Sequence, residues 1–247
     1  KDVPGKGEDA PAEDQTPQKA YDAISNNAVD PLKQLIEGGL DVNKRFGPDV
    51  IQDQRYPEGV LPMAVAVEQG NPRVVELLLA NGAEAVHDPK TGDQPLMLCL
   101  QGILSSHHNE PGADDKGGDF RRVFYQLLKS APSLANKGNE ISTPLFLAVS
   151  SSEDELAGAV LKAGADPNVK DKEGRAPLHV ALMAAGVGHG DEVIVPGYSY
   201  IATAASVVMA GAVPVIAEVD DSLTLDPNDF EAKITPYTAA VMPVHMR

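Results

Sequence analysis

Residues 176–200 read APLHVALMAAGVGHGDEVIVPGYSY, and two incompatible arrangements claim them. Pro177 opens a run of small and apolar residues ending near Ala185, which reads as a short helix. Proline in the first helical turn loses no hydrogen bond and pre-sets φ. Three glycines at 186, 188 and 190 break the run, and DEVIVP, residues 191–196, reads as a buried strand. The helix could close a series of helix pairs lying upstream, or it could feed a parallel sheet lying downstream. The owner of Leu182 to Gly186 decides the fold.

The upstream claim rests on a repeat. LPMAVAV, QPLMLCL, TPLFLAV and APLHVAL each place a proline before an apolar helix start, at Pro62, Pro95, Pro144 and Pro177. Their spacings are 33, 49 and 33 residues, the middle one being 33 plus an insertion of 16. Out of phase with them, LIEGGLDVN, LLLANGAEAV, LLKSAPSLAN and VLKAGADPNV end helices, with Gly39, Gly82 and Gly164 where a left-handed residue closes the turn. Ala131 takes that place in the third segment, a departure from the pattern at that turn. NPRVVELLLANGA predicts a helix capped by Asn71, with Pro72 at N1 and apolar residues at 74, 75, 77, 78 and 79.

This pattern, with RAPLHVAL and STPLFLAV its best instances, resembles the ankyrin repeat over about residues 19–185. The resemblance implies a solenoid of about four repeats that buries small apolar faces between neighbours, and a protein partner held by the concave face and hairpin tips. The tip residues are Arg45, Tyr56, Asp88, Lys90, Lys137, Asn139, Glu140, Lys170, Lys172 and Glu173. A role as inhibitor or neutralising partner would suit the acidic surface. Two insertions, KRFGPDVIQDQRYPEG and the loop 107–118, lengthen the connections. His107, His108, Glu110, Asp114 and Asp115 in the second could suggest a metal. Adjacent histidines point apart and the loop is glycine-rich, so a flexible loop gripping a partner is expected and no metal site.

After Gly186 the period fails. DEVIVP, VPVIAEV and AAVMPV are β-rich, and SYIATAASVVMAGA and DPNDFEAKI between them are helical, the latter with Asp226 as cap and Pro227 at N1. That order predicts β-α-β-α-β with a parallel sheet. A fifth repeat is the rival, since Gly164 and Gly211, like Pro167 and Pro214, are 47 residues apart. DEVIVP would interrupt its helix pair, so the α/β reading is preferred.

ALMAAGVGHGDEVIVPGYSYIATAASVVMAGAVPVIAEVD, residues 181–220, and LDPNDFEAKITPYTAAVMPVHM, residues 225–246, resemble the DegT-type sugar aminotransferases, pyridoxal-phosphate enzymes of the aspartate aminotransferase fold. The resemblance implies transfer of an amino group from glutamate to a keto-sugar, with Tyr200 matching the aromatic that stacks on the cofactor ring. The family's phosphate-binding motif is replaced by KDKEGRAPLHV. Its Schiff-base lysine and the aspartate at the pyridine nitrogen would lie beyond His245, and Lys233 does not match that lysine. A segment not competent alone is therefore expected, with no cofactor in this chain, no catalytic residue, and pyridoxal phosphate only if the aminotransferase were complete.

Composition bounds the rest. The 247 residues carry 36 acidic and 20 basic groups, a net charge of -16 that repels nucleic-acid backbones. Cys99 is the single cysteine, which excludes an internal disulfide and leaves it as a core residue. No apolar run reaches the length of a membrane span. No compartment follows from the sequence; the expectations are cytoplasmic or, if the first residue follows a removed signal, periplasmic or secreted. The expected organisation is a flexible acidic, proline-rich tail at 1–18, an ankyrin domain at 19–185, and a truncated aminotransferase-like α/β segment at 186–247, joined by a natural or artificial fusion. The expected function is protein binding. The alternative is a pyridoxal-phosphate-dependent sugar aminotransferase, as a fragment or chimera.

Overall fold

A computed structural model describes residues 16–51, 58–85, 94–106, 116–139 and 142–244. The chain is helix-rich, with one small parallel sheet, and divides into two compact units, Lys1–Ala131 and Pro132–Arg247.

The first unit contains α1 (Thr16–Ser25), α2 (Val29–Glu37), α3 (Pro62–Glu68), α4 (Pro72–Ala80), α5 (Pro95–Ser106) and α6 (Lys116–Ser130). Each odd helix contacts the even helix that follows it. The odd helices also contact one another in series, as do the even ones, so the unit is two layers of helices. The apolar spacing explains the layers. Val74, Val75 and Leu78 of α4 are fully buried, whereas Leu77 and Leu79 on its flank are only half-buried. Leu96, Leu100 and Ile103 of α5 and Val123, Phe124 and Leu127 of α6 complete the core around the wholly buried Cys99. Asn71 caps α4 as its sequence predicts, accepting from Val74 N–H at 3.2 Å. Phe46, 2% exposed, meets Tyr21 edge-on and forms an antiparallel bridge with Val60, closing the base of the first insertion.

The second unit starts with a 3-10 turn (Pro132–Asn136), then α7 (Pro144–Ser150), α8 (Asp154–Lys162) and α9 (Pro177–Ala184). A 3-10 turn follows where Ala131 stands in place of the glycine. Gly39, Gly82 and Gly164 have φ of +99°, +82° and +92°, whereas Ala131 closes α6 through its N–H to Leu127 O and lets Pro132 start a tighter turn. After α9 come β1 (Glu192–Pro196), α10 (Ala202–Met209), β2 (Val213–Ala217), α11 (Pro227–Ala232) and β3 (Thr238–Val241). Both pairings are parallel in the order β2-β1-β3, with Ile194 opposite Val215 and Val241. The predicted β-α-β-α-β order is present, Asp226 capping α11 by accepting from Asn228 N–H at 2.8 Å.

Leu182 packs against the sheet. It is buried in one cluster with Val187, Val193, Val195, Val207 and Ala212, so α9 covers a face of the sheet together with α10. On another side α9 contacts α7. One helix of eight residues serves both neighbours, and its composition permits this because no polar face interrupts it. The sheet itself is thinly covered. β1 is buried along its length, but Val213, Ile216 and Val241 on its flanking strands are 53%, 51% and 40% exposed, and α11 buries no residue.

Candidate functional site

In open parallel sheets the carboxyl ends of the strands border the ligand crevice. Here β1 ends at Pro196 and the chain turns through Gly197–Ile201 into α10. Gly197 N–H donates to Ala217 O at 2.7 Å, tying this loop to the end of β2. A side chain at Gly197 would crowd the Ile216 methyl at 3.2 Å. Tyr200 heads the α10 turn, its carbonyl accepting from Thr203 N–H at 2.9 Å, while its ring stands 74% exposed. Tyr198 beside it is 54% exposed. The structure thus places Tyr200 at a strand carboxyl end with a free aromatic face.

The turn before α9 is the second polar feature. Asp171 accepts from the backbone N–H groups of Glu173 and Arg175 at 3.0 and 2.8 Å, and from Arg175 Nε at 2.7 Å. Arg175 Nη2 also reaches Glu173 at 2.8 Å. Partial desolvation of Asp171 raises its pKa, but the Arg175 hydrogen bonds and charge outweigh it and leave the carboxyl below its ordinary range. Arg175 is raised chiefly by its bond to Asp171. His179, 8% exposed, accepts from Ala176 N–H through Nδ1 at 2.6 Å and so braces the start of α9. Its place is that of a turn brace. Lys233 lies 3.0 Å from Asp229, whose carboxylate is held low first by Glu218 N–H and then by that lysine.

The predicted tip residues distribute unevenly. Asn139, Lys170 and Lys172 line one shallow cleft of about 220 Å³ with Ser142, Thr143 and Asp171. Lys137 stands exposed at the end of the 3-10 turn, and Glu173 is engaged by Arg175. Arg45, in the first unit, donates to Gly59 O at 3.1 Å and braces the hairpin there. Tyr56, Asp88, Lys90 and Glu140 lie outside the described residues, as do His107, His108, Glu110, Asp114 and Asp115. Among the described residues no cluster of His, Cys, Asp and Glu has metal-binding geometry, and no helix is long and apolar enough to cross a membrane.

Asn168 escapes the residue-by-residue reading. Its signal is present: DVN at 41–43 and DPN at 166–168 both follow a helix-closing glycine with the same spacing. Asn43 N–H donates to Asp41 and Asn168 N–H to Asp166, at 2.9 and 2.8 Å, so the two turns share one local geometry.

Comparison with known proteins locates the family signal. Residues 163–247 match the DegT/DnrJ/EryC1/StrS aminotransferase family. Over 79 residues the chain is 52% identical to the L-glutamine:2-deoxy-scyllo-inosose aminotransferase of Streptomyces kanamyceticus, covering 32% of this chain and 18% of that protein. Over 74 residues it is 53% identical to the GDP-perosamine synthase of Caulobacter vibrioides (strain ATCC 19089 / CIP 103742 / CB 15), covering 30% of this chain and 20% of that one. The chain therefore spans about a fifth of the length of these curated relatives.

Two expectations are corrected. The reading of the chain as an ankyrin module acting by protein binding is overturned, because the matched family is one of aminotransferases, the relatives are an inosose aminotransferase and a GDP-perosamine synthase, and none supports the repeat family. The match also begins at Ala163, upstream of the start expected near Ala181, and so includes Pro177 and His179, which the 33-residue spacing assigns to the repeat. The C-terminal part of the chain, residues 163–247, carries a segment of the DegT/DnrJ/EryC1/StrS aminotransferase family.

Proposed function

We propose that residues 163–247 serve as part of a pyridoxal-phosphate-dependent sugar aminotransferase, supplying the β1–α10–β2–α11–β3 portion of its cofactor-binding sheet. The observation that carries this reading is the exposed ring of Tyr200 at the carboxyl end of the central strand of a parallel sheet, inside the family match. The acceptor class is a keto-sugar or keto-cyclitol, and the amino donor is glutamate or glutamine, in keeping with the relatives' names.

The described residues meet the cofactor's needs only in part. Tyr200 offers a face on which a pyridine ring can stack. Of the segment's described lysines and arginines, Arg175 is held by Asp171 and Glu173 and Lys233 by Asp229, while Lys170 and Lys172 line the cleft beside the turn before α9. The described residues supply the stacking face without the anchor, and no reaction step is assigned to them. The segment's work is structural: β1 and its loop set the height of Tyr200, and α10 holds its backbone.

A graft tests the reading. Residues 163–247 replace the matching segment of the Caulobacter GDP-perosamine synthase, and amino transfer is assayed. Retained turnover, lost again with Tyr200→Ala, is the expected result. A soluble, folded graft with no turnover and no cofactor absorbance would overturn the proposal. The chain alone, treated with pyridoxal phosphate and borohydride, is expected to acquire no stoichiometric reduced adduct.

A further inference from the structure

Asn81–Gly82 is the single Asn-Gly pair in the chain, and both residues stand exposed where α4 ends. Glycine leaves the backbone nitrogen after an asparagine unhindered, so this is the pair whose main chain can attack its own side chain. The asparagines of the neighbouring turns, Asn43, Asn136 and Asn168, precede lysine, lysine and valine instead. A Cβ at Gly82 would meet nothing within 4 Å, so water reaches the pair.

The fold holds the pair out of reaction. Asn81 has φ −103° and ψ 20°, so the Gly82 nitrogen nearly eclipses the Asn81 nitrogen about the Cα–C bond. Closing a ring onto the side chain needs Cβ in that eclipsed place, and here Cβ is turned well aside. Asn81 Nδ2 donates to Leu77 O at 2.8 Å, which folds the carboxamide back over the last turn of α4. Gly82 N–H donates to Leu79 O at 3.1 Å and Ala83 N–H to Leu78 O at 2.9 Å, the bonds of a glycine-closed helix end. From the preceding glycine turn, Asn43 Nδ2 donates to Gly82 O and its Oδ1 accepts from Glu84 N–H, both at 2.9 Å. Asn136 makes the same two-point latch on the Gly164 turn, at 2.8 and 2.7 Å. Asn168 makes neither bond among the described residues.

We propose that Asn81–Gly82 is a spontaneous modification site, kept as asparagine by the α4 cap and the Asn43 latch and converted to isoaspartate when that turn opens. In the open turn the Gly82 nitrogen attacks Asn81 Cγ. The new N–Cγ bond closes a five-membered imide, the Cγ–Nδ2 bond breaks, and the Gly82 amide proton leaves with ammonia. Water then opens the imide, giving isoaspartate by attack at the main-chain carbonyl and aspartate by attack at Cγ. In isoaspartate the main chain runs through Cβ and gains one atom between Asn81 and Gly82. That atom displaces Gly82–Glu84 relative to α4, so the Ala83–Leu78 bond and the Asn43 latch can no longer be made together. Either product also sets a carboxylate at the negative end of the α4 dipole. The site lies in the first unit and does not rest on the aminotransferase reading.

The test is peptide mapping by mass spectrometry on the full chain, aged at mildly alkaline pH. The first one-dalton gain is expected at Asn81, about tenfold slower in the native chain than in the chain unfolded in guanidinium chloride, because local opening limits it. Asn43→Ala is expected to raise the native rate about fivefold, the loss of two exposed hydrogen bonds, and to leave the unfolded rate unchanged. Asn43→Asp, which keeps the acceptor for Glu84 and loses the donor to Gly82, should fall between. Asn136→Ala, which unlatches the other unit, should leave the rate as it is, and Asn81→Gln should abolish the product. Equal native and unfolded rates, earlier modification at another asparagine, or a native rate that Asn43→Ala does not raise above that of Asn136→Ala would each overturn the proposal.

Discussion

The helix layers of the first unit and the sheet of the second handle apolar surface in opposite ways. In the first unit, Tyr125 is the one large apolar side chain among the described residues that stands exposed. In the sheet segment Val213, Ile216, Ile234, Tyr237 and Val241 are all 40% exposed or more. A helix pair closes its apolar stripe against the next pair, whereas a three-stranded sheet leaves two strands with one neighbour each. Stability should therefore be concentrated in the helices and thin out toward β2 and β3.

The largest effect should come from the helical core. Leu100→Ala is expected to cost about 2–5 kcal/mol in chemical denaturation, because α5 buries that side chain completely. Ile216→Ala should cost about 0.5 kcal/mol. Cys99 is a built-in reporter, since burial pushes its thiol well above the ordinary range. It should react with Ellman's reagent only as fast as the first unit opens, and Leu100→Ala should accelerate that reaction. Similar costs for the two substitutions would break the comparison.

The asparagine latches predict the next tier. Asn43→Ala and Asn136→Ala should each lose about 1 kcal/mol, two exposed hydrogen bonds apiece, and Asn168→Ala close to none. Equal losses at all three positions would show that Asn168 is engaged after all.

Acid should then act on the turn before α9. Asp171 titrates below its ordinary value when folded, so its contribution is complete above the unfolded pKa and is lost as pH falls through the depressed folded one. Asp171→Asn is expected to flatten the stability curve in that acid window and to leave its slope near neutrality unchanged. The smallest effect belongs to Val213→Thr on an outer strand, within about 0.5 kcal/mol of the parent.

Much of this was legible in the sequence, for reasons that differ by residue. Asn71–Pro72 and Asp226–Pro227 announce helix starts because capping and proline chemistry are local. DEVIVP announces a buried parallel strand because its β-branched run leaves no polar face. The role of α9 was not legible, since Leu182 can face a helix or a sheet with the same side chain. Its true neighbour is set by Val193 and Val207, which are distant in the chain. The tip residues were a weaker inference still. Their positions follow from a period, but what a turn binds depends on side chains that a period does not specify.

The pairing of Pro214 with Val193 has a consequence for how this protein meets other copies of itself. Val213 N–H points at β1, and successive amides on a strand alternate sides, so the nitrogen of Pro214 faces away from β1 toward the open edge of β2. That edge lacks a donor at its second residue, where an incoming strand would need one. At high concentration, strand addition and the fibrils it seeds should therefore start at β3, whose outer edge has no such guard among its four residues.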